Sequence, residues 1–174
     1  MFNNTPDETA FYRMALNREP VPASIVMIQP TLFAFSFQGQ PEPVLLDASA
    51  LKHDQILLLD TWFMVIVHYG SQIAHWRDKG YADRPEHHAF RQLLEAPLED
   101  AKAILEDPDR VPVPKLLQTD QGHSQSRFVL AKLNPSATHH NSTVAKAGEV
   151  IFTDDMSLEK FMEKLARLTV GLKN

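Results

Sequence analysis

The stretch from residue 56 to residue 69 constrains the fold most. Two apolar runs, 56–59 and 62–69, are separated only by Asp60 and Thr61. The densest part, 56–67, is interrupted by those two polar residues and is too short to cross about 30 Å of hydrocarbon. The pattern predicts two strands joined by a tight hairpin, or one strand broken by a bulge. Gly70 and Ser71 close the run.

Other segments supply the rest of a sheet. Phe33, Phe35 and Phe37 alternate with the period of a strand. Gly39 and Pro41 mark a turn, and 44–46 reads as a short strand ending at Asp47. Residues 115–119 and 126–132 read as two more strands, with Gln121-Gly122-His123 turning between them. Over 86–106, Phe90, Leu93, Leu94, Leu98, Ala101, Ile104 and Leu105 fall at the spacing of one buried helix face. Pro97 predicts a kink there, or a restart with Glu99 and Asp100 in the new first turn. A last helix is marked by Leu158, Phe161, Met162, Leu165, Leu168 and Leu172. Its acidic residues lie at the start and its basic residues towards the end.

At the N-terminus, Thr5-Pro6-Asp7-Glu8 is a helix start, and the helix is expected to reach about Leu16. Pro20 and Pro22 place a linker near 18–24. Residues 134–148 are polar and read as a loop. With 174 residues the chain holds one domain plus a short appendage. The expected class is α/β (α+β): a mixed sheet of about five strands between helices, preceded by a short helical segment.

Composition then excludes several chemistries for this chain. There is no cysteine, so it has no disulfide, thiolate zinc site or thiol nucleophile. A formal net charge of −5 gives no general electrostatic reason to bind nucleic acid or anionic membrane. The opening residues have neither the basic start nor the apolar stretch of a secretory signal. Eight histidines invite a metal, but no H-E-x-x-H occurs, and the adjacent pairs His87-His88 and His139-His140 point in different directions. Neither a G-x-S-x-G elbow nor a phosphate-cradling glycine loop is present. The acidic pairs Glu99-Asp100 and Asp154-Asp155 each sit at a helix start, where the macrodipole accounts for them.

One arginine remains. Arg127 follows a polar turn at the mouth of a predicted strand anchored by Phe128, Val129 and Leu130. A rigidly held arginine can offer its planar fork to a partner's phosphate. It can equally lie on the surface and cover apolar groups with its stem.

Eight motifs in register carry a resemblance. They are Phe2-Asn3-Asn4-Thr5-Pro6-Asp7-Glu8-Thr9, Met27-Ile28-Gln29-Pro30, Pro41-Glu42-Pro43-Val44-Leu45-Leu46-Asp47 and Ile73-Ala74-x-Trp76-Arg77. Leu94-x-Ala96-Pro97, Ser124-Gln125-x-Arg127-Phe128, Asn134-Pro135-Ser136 and Thr153-Asp154-Asp155-x-Ser157-Leu158 complete the set. From residue 2 to about 170 the chain resembles the C-terminal part of the GTPase-activating subunit of the COPII inner coat, the SEC23 family.

The resemblance implies a gelsolin-like domain over 29–174, with 1–28 as the end of a preceding helical domain plus linker. It implies a piece of a longer coat subunit in endoplasmic reticulum to Golgi transport. That subunit would be cytoplasmic and peripheral on endoplasmic reticulum exit sites and COPII vesicles. It would not be a self-contained enzyme. It would activate a Sar-type small GTPase in trans through an arginine finger, which by motif is Arg127. Ser124, Gln125 and Phe128 would contact the partner beside it. His87 and Arg91 would belong to a surface for Pro-rich segments of outer-coat and cargo-receptor proteins, and the cargo adaptor of the inner coat would be a further partner. No metal site and no cofactor are implied in this chain; the family's zinc lies upstream. No nucleic acid is implied.

The chain departs from the family at three positions. His123 stands where glycine is usual, Ser126 where alanine is usual, and His87 where tyrosine is frequent. A residue with a Cβ resists positive φ, so the turn at 122–123 is expected to change shape. The alternatives are a gelsolin-like interaction module with an inert Arg127, an actin- or calcium-binding relative, and a histidine-based metalloenzyme.

Overall fold

The structure is a computed structural model and describes residues 5–134, 137–138, 152–153, 162–163 and 165–167. Helix α1 (Pro6–Arg18) begins as expected: Thr5 Oγ1 accepts from the Glu8 amide at 3.3 Å, and proline occupies the first turn. No linker follows. Helix α2 (Val21–Ile28) starts at once, with Pro20 as its N-cap and Pro22 in its first turn. Proline breaks a helix only where its missing N–H would have been bonded, and the first turn has no such need. The Ser24 hydroxyl donates to the Leu16 carbonyl at 3.1 Å and folds α2 back on α1.

The sheet contains β1 (Thr31–Phe35), β2 (Glu42–Pro43), β3 (Ile56–Asp60), β4 (Met64–Tyr69) and β5 (Lys115–Asp120) in the order β2-β1-β3-β4-β5. All neighbours are antiparallel except β4 and β5, which run parallel. The 56–69 stretch is therefore a hairpin, with Ile56 opposite Tyr69. The strand expected at 44–46 lies two residues earlier, at 42–43. Leu46 turns inward instead, and Asp47 caps a 3-10 turn (Ala48–Ala50) by accepting from the Ser49 amide at 2.9 Å.

Parallel pairing of β4 and β5 requires a long crossover. Helices α3 (Ser71–Asp78) and α4 (His88–Leu105) supply it. Helix α3 is absent from the sequence expectation: its eight residues bury only Ile73 and Ala74, too few to set a period. Helix α4 runs unbroken through Pro97, whose ring is fully buried, so neither a restart nor a second helix forms.

Two cores result, one on each face of β3, which is why that strand is apolar from Ile56 to Leu59 before it ends at Asp60. On one face Phe35, Ile56, Leu58, Val65, Val67 and Tyr69 meet Ile73, Phe90, Leu93 and Ala101. On the other, Leu32, Leu57, Leu59 and Ile66 meet Leu46, Val129 and Leu133. Phe37 lies past the end of β1 and packs on Trp76 and Phe90.

The strand expected at 126–132 is not formed. A 3-10 turn (Ser124–Ser126) leads into the short helix α5 (Arg127–Leu130). Only Val129 of its apolar triplet is fully buried, so the segment satisfies its backbone locally rather than extending the sheet. Short strands β6 (Ala137–Thr138) and β7 (Phe152–Thr153) pair in parallel. The helix expected over 158–172 lies outside the described residues except at 162–163 and 165–167, which are helical. The loop expected over 134–148 lies outside them apart from 134 and 137–138. No helix among the described residues is long and apolar enough to cross a membrane.

Candidate functional site

Arg127 opens helix α5 and is solvent-exposed. Its guanidinium carbon lies 5.2 Å from the centroid of the Phe128 ring. It forms no ion pair or hydrogen bond with another described side chain. Its backbone, by contrast, is held: the Ala131 amide donates to the Arg127 carbonyl at 2.9 Å, and Val129, two residues on, is fully buried.

The turn that leads to it is tied down at several points. The Gln121 amide donates to the Tyr69 carbonyl at 2.8 Å. The Gln121 Oε1 accepts from the Ser71 amide at 3.0 Å and lies 3.1 Å from His53 Nδ1. Gly122 takes the left-handed conformation, φ +86°. His123 sits at φ −79°, which any residue adopts, so histidine in place of the usual glycine leaves this turn unstrained. The Ser126 amide donates to the His123 carbonyl at 2.9 Å, closing the 3-10 turn.

Beneath the turn, His68 projects from β4 on the face opposite Val67 and Tyr69. Its Nε2 lies 3.1 Å from Ser126 Oγ, and both residues are buried. Burial pushes the His68 pKa down to about 4; the Asp120 charge and a backbone hydrogen bond pull the other way but do not offset it. The imidazole is therefore neutral at neutral pH.

At the end of β5, Asp120 accepts from Arg77 Nη1 at 2.9 Å and Nη2 at 2.8 Å. This bidentate bond, more than the Coulomb field of Asp120, raises the Arg77 pKa. Burial raises the Tyr69 pKa, and its hydroxyl donates to Gln118 at 2.9 Å. Tyr69, Arg77, Gln118, Ser124 and Gln125 line a polar groove of about 310 Å³ on one side of the turn. His68, Ser71, Gln121, Ser126 and Arg127 line another of about 340 Å³. Phe128 points away from both. It closes a cavity of about 460 Å³ shared with Tyr12, Met27 and Met64.

The structure thus brings Ser124, Gln125, Arg127 and Phe128 together but separates them from His87 and Arg91. Helix α5 packs on one face of the sheet and α4 on the other. His87 stacks on Tyr81, ring centroids 5.3 Å apart, with the Arg84 guanidinium on the same ring at 4.9 Å. Arg91 donates from Nε and Nη2 to the Ala82 carbonyl, at 2.8 and 2.6 Å, and so braces the 3-10 turn (Tyr81–Asp83). Sequence reasoning missed His68, whose partner lies 58 residues away, and the Arg77–Asp120 pair. The strand period of β4 places His68 off the Val67 face, but nothing local reveals what it meets. Among the described residues no group of three histidine, aspartate or glutamate side chains could hold a metal ion.

Comparison with known proteins adds to this picture. Residues 37–129 match the gelsolin repeat family. The chain is 52% identical over 171 residues to the protein transport protein SEC23 F of Arabidopsis thaliana. That alignment covers 98% of this chain and 22% of the relative, so the chain spans about a fifth of the relative's length. Among solved structures, the human COPII-coat protein Sec24c superposes with a TM-score of 0.54 at 14% identity. The match covers 74% of this chain and 18% of the other, and at that identity it concerns the fold alone.

Proposed function

The chain belongs to the gelsolin-repeat family, in the form carried by the SEC23-type transport proteins, and from that premise we propose that it is the gelsolin-like part of a COPII coat subunit that activates a Sar-type GTPase. In this reading Arg127 is an arginine finger. The observation that carries it is the contrast between an exposed guanidinium, unpaired among the described residues, and the anchored backbone that bears it.

A finger must reach out of its own protein yet arrive in one orientation. A guanidinium supplied in trans then offsets charge spread over the transferring phosphoryl, an effect worth roughly 10³–10⁵ in rate. Positioning by the anchored turn limits the entropy lost on docking. Ser124 and Gln125, exposed on the preceding 3-10 turn, are the contacts nearest the finger. The Phe128 ring lies beside the guanidinium, its centroid 5.2 Å from the guanidinium carbon.

The longer subunit would act on endoplasmic reticulum membranes as a peripheral coat component, with other coat subunits as partners. Zinc, in this reading, belongs to parts of the longer protein outside this cysteine-free chain. The stacked Tyr81, His87 and Arg84 form an aromatic surface on the α4 side of the sheet, suited to a Pro-rich segment.

Single-turnover GTP hydrolysis by the Sar-type GTPase tests the finger, using the coat subunit that contains this chain with Arg127→Ala. The stimulated rate should fall by at least about 10³. An unchanged rate would leave a gelsolin-like interaction module with no part in GTPase activation.

A further inference from the structure

Arg127 makes no side-chain hydrogen bond that fixes it among the described residues, so its position is set by the backbone on either side: α5, anchored by the buried Val129, after it and the 3-10 turn before it. That turn ends in Ser126, whose side chain points into the protein and is 4% exposed. Its hydroxyl meets one group, the Nε2 of His68, itself 1% exposed on the central hairpin. We propose that His68 is a positioning residue for the finger: through Ser126 it fixes the last residue of the 3-10 turn to strand β4, and with it the start of α5. The proposal rests on the reading of Arg127 as a finger.

The geometry favours this role over simple core filling. Strand β4 is paired on both sides, to β3 and to β5, and is among the most constrained parts of the molecule. Among the described residues the turn is joined to β4 directly at Gln121 and then again only at Ser126; the intervening residues 122–125 are exposed, and of them His123 is tied to Asp120 of β5 by its amide. Removing the second tie leaves a span hinged at Gly122, which takes a left-handed conformation at +86° and has open space around it. Arg127 is the first residue past that span. A neutral imidazole suits the role, since it exchanges a hydrogen with a hydroxyl without placing a charge in the core. Alanine at 126 would remove the partner altogether, so this chain carries a device that a Ser-Gln-Ala-Arg sequence lacks.

The test measures single-turnover GTP hydrolysis in the Sar-type GTPase as a function of coat-subunit concentration. Four variants are compared: Ser126→Ala, His68→Gln, His68→Leu and Arg127→Ala. Ser126→Ala should lower the rate at saturation by roughly five- to tenfold, because misplacement of about an ångström is enough to cost this much. The half-saturating concentration should stay within about twofold, since the docking surface is untouched. His68→Gln, which keeps an amide N–H able to reach Ser126, should retain most of the rate, whereas His68→Leu should match Ser126→Ala. Adding Ser126→Ala to Arg127→Ala should cause no further loss. A full rate for Ser126→Ala beside a collapsed rate for Arg127→Ala overturns the positioning role and leaves the finger intact. An unchanged rate for Arg127→Ala overturns both. A loss in half-saturating concentration rather than in maximal rate places His68 among ordinary structural residues and overturns the proposal. His68→Leu tests a variant that risks misfolding, and Ser126→Ala decides the question without it.

Discussion

Asp60 and Arg110 form a buried ion pair that locks the β3–β4 hairpin to the chain entering β5. Arg110 Nη1 donates to Asp60 Oδ2 at 2.8 Å, and Nη2 reaches Asp60 Oδ1. The same guanidinium donates to the Trp62 carbonyl, from Nε at 3.1 Å and from Nη2 at 2.7 Å, and lies 4.6 Å from the Trp62 ring centroid. Asp60 also accepts from the Trp62 amide at 2.8 Å. Trp62 needs this bracing: its φ of +71° is an outlier for a bulky residue.

Breaking the pair from one side leaves a charge buried without a partner. Arg110→Met is therefore expected to cost about 3–5 kcal/mol. In a chain of this size that lowers the Tm by roughly 10 °C. Thermal unfolding followed by circular dichroism checks it. A loss below about 1 kcal/mol would show that water reaches Asp60 readily.

Gly70 is required by close approach rather than by its backbone angles. Its φ is −59°, open to any residue. A Cβ there would lie 2.6 Å from the Lys52 carbonyl oxygen and closer still to that of His53. Both obstacles are backbone, and His53 is held by the Gln72 amide at 2.9 Å. Gly70→Ala should therefore destabilise the chain by about 1–3 kcal/mol. Urea unfolding is the measurement, with Gly39→Ala as the comparison: nothing lies within 4 Å of its Cβ position, although its φ of +157° is not free of strain.

The buried imidazole of His68 makes stability fall in mild acid. Unfolded, it titrates near 6.5; folded, near 4. Between those values the unfolded chain binds the extra proton, so stability is complete above about pH 6.5 and declines as pH falls towards 4. The accumulated loss is about 3 kcal/mol at its limit. Urea unfolding at pH 7, 5.5 and 4.5 should show a slope that His68→Gln flattens. Parallel slopes for the two proteins would mean that His68 does not control the acid response.

The sheet was legible because its strands are short, apolar and bounded by turn residues: Phe33 and Phe35 alternate, and 56–69 contains its own hairpin. The α4 face was legible from Phe90, Leu93 and Ala101. What misled was brevity. Phe128, Val129 and Leu130 look like a strand, yet only Val129 is fully buried, and a single helical turn leaves the other two half-buried at the edge of the core. Pro20 and Pro22 suggested a linker because their effect depends on whether a helix is beginning or continuing. The site was less legible than the fold. Arg127 stood out only through resemblance, since an exposed arginine after a polar turn is common. His68 was invisible because its meaning lies in Ser126, which no local pattern connects to it.

The last prediction separates charge from shape at Arg127. Lysine keeps the positive charge but replaces a planar fork with a point charge on a flexible stem. The fork lies against Phe128, 5.2 Å from the ring centroid, a contact an ammonium makes less well. If two phosphoryl-region oxygens are bridged by the fork in the transition state, Arg127→Lys should keep less than about a tenth of the stimulated GTP hydrolysis rate. Binding to the GTPase should change by no more than about twofold. Maximal rate and half-saturating concentration, measured together in single-turnover assays, distinguish the two effects. Full activity for Arg127→Lys would show that a positive charge alone suffices and that the guanidinium's planarity contributes nothing.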